Sequence, residues 1–259
     1  MKPPEPEASE AECSVIKIGG ARVQVEADLD ELCVHVRRLV DAGRRVIVVH
    51  GGGAEIASLH DMLGIPRQMR DGLRVTPDHS MDLVTMVLAG LVNKRLVAAL
   101  GGHKVRAIGL SGLDLGLLQA DFLDQEKLGR VGADPRVDPA PLRVLLGQGW
   151  MPVIAPVSVG PDGKPINVNA DTAAQAIAGA LGAHTLDFVS DVAGVRSGDK
   201  ILKRLCPADV EHLIRAAVVR GGMIPKLRAA TAALNAGVGR VRVGDLHTMR
   251  QDACTVVCR

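Results

Sequence analysis

Hydrophobic positions along this chain follow two periods, and the switches between them divide it into elements. Val15-Ile16-Lys17-Ile18 and Val46-Ile47-Val48-Val49 are short β-branched runs that stop abruptly at Gly19-Gly20 and, after His50, at Gly51-Gly52-Gly53. Such runs predict buried strands at 14–18 and 45–49, feeding loops whose bare backbone can approach a ligand closely. Between them Leu29, Leu32, Val36, Leu39 and Val40 recur at helical spacing up to Ala42-Gly43, which predicts a helix near 27–42. A second helix is expected near 54–63, and the β-α-β-α order predicts parallel strands.

The same reading continues along the chain. Residues 64–76 read as a short hairpin or lid, with Thr76 a candidate cap and Pro77 at the first position of a long helix near 78–100. A strand at 104–109 is expected to end at Gly109-Leu110-Ser111-Gly112, and the irregular stretch 113–140 to hold small strands. A helix near 139–148, a strand at 152–156 and a turn at Pro161-Asp162-Gly163 follow. Asn167-Val168-Asn169-Ala170-Asp171 opens an Ala-rich helix near 171–182, and a strand at 185–190 ends at Ser190-Asp191-Val192-Ala193-Gly194. Helices near 207–218 and 224–236 and strands at 239–243 and 254–258 complete the pattern. Residues 1–13 read as a flexible arm, and a break near 182–184 as a boundary between two lobes of one sheet.

Composition narrows the classes of function. Of 259 residues, 47% are apolar, yet the aromatics are one Trp and two Phe. Ala, Val, Leu and Gly therefore pack the core, and base-stacking nucleic-acid modules are disfavoured. The net charge of +2 is dispersed, with no basic run to mark DNA or a membrane surface. Five scattered cysteines without a C-x-x-C pair predict reduced thiols in a cytoplasmic protein rather than a disulfide framework or zinc site. The Pro- and Glu-rich N-terminus is not a secretory signal, and no apolar stretch is expected to reach the roughly 20 residues that span a bilayer.

Candidate chemistry gathers at the glycine turns. A lysine, Lys17, precedes the first, and two such turns with a cation suggest an anion site, most plausibly for phosphate. Six segments then occur in one order: Ile16-Lys17-Ile18-Gly19-Gly20, His50-Gly51-Gly52-Gly53, Gly72-Leu73-Arg74-Val75-Thr76, Asn167-Val168-Asn169-Ala170-Asp171, Ser190-Asp191-Val192-Ala193-Gly194 and Gly222-Met223-Ile224-Pro225-Lys226. Over roughly residues 14–259 they resemble the amino-acid kinase family, and most of all its branch that phosphorylates the γ-carboxylate of N-acetyl-L-glutamate with ATP. The resemblance implies an α/β fold, a three-layer α-β-α sandwich with a mostly parallel open central sheet. It further implies a lobe at 14–182 for the amino-acid substrate and dimerisation, and a lobe at 183–259 for ATP.

The chemistry such a reaction needs follows independently. A γ-carboxylate is already anionic near neutral pH, so no general base is required. The obstacle is repulsion between carboxylate and triphosphate, so catalysis should rest on positioning and positive charge. By resemblance, Lys17 holds the transferring phosphoryl group and Lys226 contacts the ATP phosphates from the other side. Taken singly, Lys17 could be a strand-end lysine reaching water and Lys226 an ordinary lysine on a helix face. Gly19, Gly20 and Gly52 would donate backbone N–H groups to phosphate; otherwise they are tight-turn glycines. Asp171 would orient both lysines, against the plainer reading of a first-turn carboxylate. Arg74 would clamp the substrate α-carboxylate, a bidentate task suited to guanidinium, unless it is a solvated loop residue. Asn167 would bind the acetamido or α-carboxylate end, Gly52 and Gly53 would face the reacting end, and Asn169 is either a cap or a site residue. Ser190, Asp191, Gly194, Gly222 and Met223 would belong to the ATP side, with Mg2+ arriving on ATP and no all-protein metal site. His50 reads as a packed strand-end residue, and Ser111 lacks the surroundings of a hydrolase nucleophile.

Two other readings stand beside this one. Gly90-Leu91-Val92-Asn93-Lys94-Arg95 and Gly109-Leu110-Ser111-Gly112-Leu113-Asp114 resemble kinases of carrier-protein-linked aminoadipate or glutamate in lysine biosynthesis, whereas Gly53, the Gly-Leu-Arg-Val-Thr segment and Asn167–Asp171 fit the free-substrate branch serving arginine biosynthesis. A non-catalytic amino-acid sensor on the same fold is the third, disfavoured by retention of both lysines and Asp171. The resemblance implies that arginine-inhibited relatives carry a long amphipathic N-terminal helix linking dimers into a hexamer; with only about 13 Pro/Glu-rich residues before the first strand here, a homodimer without arginine feedback is expected, pairing through the helix near 78–100.

Overall fold

The computed structural model describes residues 12–259 except Asp71. Residues 1–11 of the expected arm lie outside the described residues, and Cys13 already opens the first strand. The central sheet is built from β1 (Cys13–Ile18), β2 (Arg45–His50), β3 (Ala107–Ser111), β4 (Met151–Ala155), β5 (Thr185–Val189), β6 (Arg204–Leu205), β7 (Arg240–Gly244) and β8 (Thr255–Val257). Their spatial order is β6-β8-β7-β5-β1-β2-β4-β3. All neighbouring pairs are parallel except β7 and β8. The strand beyond the expected lobe break, β5, pairs directly with β1, so the sheet is continuous.

Helices cover both faces, which makes the three-layer sandwich. They are α1 (Gly20–Gln24), α2 (Glu26–Asp41), α3 (Gly53–Met62), α4 (Asp78–Gly102), α5 (Ala140–Gly147), α6 (Ala170–Leu181), α7 (Pro207–Arg215), α8 (Met223–Asn235) and α9 (Leu246–Arg250). Strand alternation divides the core in two. Val15, Ile47, Val49 and Phe188 pack with α6 and α8 residues such as Ile177 and Leu227, while Ile16, Ile18 and Val48 pack with Leu32 of α2 and Leu96 of α4. Lys17 shares the Val15 face of β1, and this sends it toward α6 and α8. The strands Leu118–Phe122, Val131–Val137, Val157–Val159 and Pro165–Val168 close into a small separate barrel.

The structure corrects several expectations. Thr76 does not cap α4; its Oγ1 donates to the Arg74 carbonyl at 2.9 Å, and Pro77 is the capping position. The third strand of the sheet begins at Ala107 rather than 104, because Lys104, at φ 59°, terminates the preceding helix. The helix expected at 207–218 stops at Arg215, and Ala217 adopts φ 52°. Within α4, Met86–Val92 winds as a π-helix, a change of register that apolar periodicity does not reveal. The helix is also 25 residues long, with an 18-residue window of mean hydropathy 1.7. By length and composition it could cross a bilayer, contrary to the expectation above; here Met81, Val84, Val92, Leu96 and Leu100 are buried in the core. The short helices α1 and α9 and the hairpin of Arg196–Ser197 and Lys200–Ile201 have no counterpart in the sequence pattern.

Candidate functional site

The carboxyl ends of β1, β2 and β5 deliver Gly19-Gly20, Gly51-Gly52-Gly53 and Ser190-Asp191 to one edge of the sheet, where open α/β sheets bind ligands. The first two turns touch through their backbones. A Cβ on Gly20 would stand 2.5 Å from the Gly52 Cα, and one on Gly52 would meet Leu88 Cδ2 at 2.6 Å. The first position therefore excludes a side chain, and the second admits one only if Leu88 moves aside.

Lys17, Asp171 and Lys226 converge beneath these turns. The Lys17 Nζ lies 2.9 Å from Asp171 Oδ1, and the Lys226 Nζ donates to Oδ1 and Oδ2 of the same carboxylate at 3.3 and 3.4 Å. All three are buried, each at most 9% exposed. Asn169 is the N-cap of α6: its Oδ1 accepts the Asp171 N–H at 2.8 Å and fixes where that carboxylate starts. The Lys226 ammonium also sits 5.3 Å from the centre of the Phe188 ring. The triad carries a net charge of about +1, an arrangement suited to anions.

Two hollows meet at the triad and share Lys17, Gly19 and Asp171. One, of about 280 Å³, is lined by Gly20, Gly51–Gly53, Arg74, Asn167 and Asn169, with Leu88, Val131 and Pro156 as apolar wall. The other, of about 570 Å³, is lined by Ser190, Asp191, Gly222, Met223 and Lys226. Arg74 Nη2 donates to the Gly53 carbonyl at 2.9 Å, whereas its Nη1 is buried without a partner among the described residues. Burial pushes this guanidinium below its ordinary pKa. Asn167 Nδ2 donates to Thr76 Oγ1 at 3.2 Å, which ties the Arg74 segment to the barrel.

Of the residues singled out from sequence, all but Gly194 line one hollow or the other. A Cβ on Gly194 would fall 2.8 Å from Ile201 Cγ2 and Thr255 Oγ1, so its place is a close packing contact with β8. Arg22, two positions beyond the first glycine pair, escaped the sequence reading. It lines the larger hollow, its Nη1 is 3.5 Å from Asp28 Oδ2, and its Nε is buried and unpartnered among the described residues.

The model of the amino acid kinase family matches residues 12–245. The chain belongs to the amino acid kinase family. It is 47% identical over 236 residues to the acetylglutamate kinase of Chloroflexus aurantiacus, covering 90% of this chain and 92% of that one. The acetylglutamate kinase of Bacillus subtilis is 42% identical over 229 residues, covering 88% of each. The crystal structure of smu.665 from Streptococcus mutans superposes with a TM-score of 0.86 at 32% identity, covering 95% of this chain and 98% of that one.

In this member of the amino acid kinase family the triad's electrostatics are opposed. Burial raises the Asp171 pKa, but Lys17 and then Lys226 outweigh it and hold the carboxyl below its ordinary range. Burial, resisted by Asp171, lowers the pKa of Lys226. Next to the second turn, His50 is fully buried; it accepts from Asn93 Nδ2 at 3.2 Å through Nε2 and faces the Gly51 carbonyl at 3.0 Å through Nδ1. Burial lowers its pKa to about 4. The unfolded chain therefore binds a proton near pH 6.5 that the folded chain refuses until about pH 4. The stability from neutral His50 is present above pH 6.5 and lost as pH falls toward 4. Urea titrations across that range should show a loss of about 3 kcal/mol that a His50→Gln variant largely lacks.

Proposed function

We propose that this chain transfers the γ-phosphoryl group of ATP to the γ-carboxylate of N-acetyl-L-glutamate, giving N-acetyl-L-glutamyl 5-phosphate and ADP, as a step in arginine biosynthesis. The observation that carries the reading is the meeting of two hollows at Lys17–Asp171–Lys226. The smaller hollow suits a compact acyl amino acid, and the larger one a nucleotide.

Each group then has a task. Arg74 grips the α-carboxylate with Nη1, which has no partner among the described residues, and Asn167 hydrogen-bonds the same end of the substrate. The N–H groups of the Gly19-Gly20 and Gly52-Gly53 turns, together with Lys17, draw charge from the phosphoryl group as it passes between the two oxygens. Lys226 steadies the departing diphosphate, and Asp171 keeps both ammonium groups aimed. A carboxylate oxygen bonds to phosphorus as the bridging oxygen leaves with ADP, and no proton has to move. Ser190, Asp191, Gly222 and Met223 frame the nucleotide, so residues 183–259 act as the ATP lobe and 14–182 as the substrate lobe. Among the described residues no three His, Cys, Asp or Glu side chains converge as a metal site. Mg2+, when bound, supplies charge neutralisation on the triphosphate, held by phosphate oxygens and water. Pairing of two copies through α4, where Met86 and Leu91 are 61% and 52% exposed, would give a cytoplasmic homodimer.

ADP release measured with N-acetylglutamate, glutamate, aspartate, carbamate, UMP, N-acetylaminoadipate and carrier-linked aminoadipate tests the reading. N-acetylglutamate should be strongly preferred, with acyl phosphate trapped as hydroxamate. A preference for the carrier-linked acid, or no turnover at all, would overturn it in favour of the lysine branch or a sensor. Arg74→Gln should raise KM for N-acetylglutamate roughly 10²-fold with far less change in kcat, because a charged hydrogen bond made equally in ground and transition states is lost. A pure kcat defect would remove Arg74 from substrate binding.

A further inference from the structure

Beyond the kinase site, the edge of the sheet brings two cysteines together. Strands β6 and β8 pair in parallel, with Arg204 opposite Val256 and Leu205 opposite Val257. One step further along, the register sets Cys206 beside Cys258. The ladder still holds at that step, because the Cys258 N–H donates to the Leu205 carbonyl at 3.1 Å. Alternation fixes the side-chain direction. Leu205 and Val257 are both buried in the same apolar cluster, so the residue after each faces the other side of the sheet. Accordingly Cys206 is exposed and Cys258 partly so, and both line one small hollow with Arg204, Asp209 and Arg259. Neighbouring strands run about 4.8 Å apart, which lies within the roughly 4.4–6.8 Å of Cα separation that a disulfide spans. Of the remaining cysteines, Cys33 and Cys254 are buried in the core and Cys13 is partly covered against it.

We propose that Cys206 and Cys258 are a modification site, joining as a reversible disulfide when the protein meets a hydroperoxide. The exposed Cys206 thiolate attacks a peroxide oxygen. The O–O bond breaks, the distal oxygen leaves as water, and a sulfenic acid remains. The Cys258 thiolate then attacks that sulfur, and the S–O bond breaks with loss of a second water. Two thiols and one peroxide give one disulfide and two waters; the sulfurs give up two electrons and the peroxide accepts them. The bridge closes a chain segment holding α7, α8, β7, α9 and β8, so it staples the part of the molecule that carries Met223 and Lys226. Closing so long a segment restricts the unfolded chain and stabilises the fold.

The test treats the full chain with equimolar hydrogen peroxide, alkylates the remaining thiols and digests without reductant. The expected product is a pair of peptides joined through Cys206 and Cys258, about 2 Da lighter than the two thiol peptides combined, as loss of two hydrogens requires. The Tm of the oxidised protein should rise by roughly 5 °C or more and return on adding dithiothreitol. Neither change should occur in Cys258→Ser, which is the cleaner reference because serine at position 206 would itself cap α7. Cys206 stopping at sulfinic acid beside an alkylated Cys258, a bridge between two copies, a bridge to another cysteine, or an unchanged Tm after oxidation would each overturn the proposal. None of these readouts depends on turnover, so the result stands apart from the kinase assay.

Discussion

A Lys17→Met variant is expected to lose kcat by roughly 10³-fold while keeping KM for N-acetylglutamate within a few-fold of the parent. Among the described residues, Lys17 is the one cation lining both hollows, so it alone is placed to follow charge from donor to acceptor. Arg74 faces only the smaller hollow, and Lys226 and Arg22 face only the larger. Methionine preserves the length and apolar stem of lysine and its place on the Val15 face of β1, so the variant subtracts charge with little change in packing. It leaves Asp171 paired with Lys226, at 3.3 Å, and a site whose net charge falls from +1 to zero. Ground-state binding of the acyl amino acid rests on Arg74 and Asn167 and is spared, which separates kcat from KM. Single-turnover kinetics with saturating ATP would check it. A chemical step within tenfold of the parent would remove Lys17 from phosphoryl transfer, whatever its position.

How far the molecule could be read before its structure follows from the range of each signal. Strands β1 and β2 were legible because β-branched runs ending in glycine are local, β4 and β5 as short apolar runs, and so was α6, with Asn169 at its start. The direction of Lys17 is also local: counting alternate positions from Val15 is enough. What binds it is not. Asp171 and Lys226 lie 55 positions apart, and no periodicity within either helix says that their tips meet; family likeness, not pattern, paired them. The π-turn at Met86–Val92 was invisible because the run is apolar on nearly every side and so carries no period to mark the change of winding, yet it is Leu88 from that segment that closes over Gly52. Arg22 was missed because five residues of α1 are too few to display a period. Gly194 shows a second requirement that a motif hides: the approach of its backbone to Ile201 and to Thr255 of β8 leaves no room for a Cβ.

Asp171→Asn is expected to reduce kcat by about 10²-fold at pH 8, and the deficit should shrink as pH falls. Burial lowers the pKa of Lys226, and the Asp171 carboxylate is the largest influence opposing it, while the Lys17 ammonium pushes the same way as burial. Asparagine keeps the shape but removes the charge, leaving two buried ammonium groups facing one another. The pKa of Lys226 must then fall further, so the variant loses that proton at lower pH than the parent and the alkaline limb of its kcat profile moves toward neutrality. At lower pH Lys226 is protonated again and activity partly returns. ATP binding favours the charged form, so the alkaline limb of kcat/KM for ATP should lie at lower pH than that of kcat. Stability changes in a parallel sense. The Asp171 pKa is depressed in the folded chain, so its contribution is present above the ordinary carboxylate range and disappears only as pH falls through the folded value. The asparagine variant should therefore be less stable than the parent at pH 7, with the gap closing in acid. A carboxylate that merely filled space would give a deficit independent of pH, and such a flat profile would place Asp171 outside the charge network of Lys17 and Lys226.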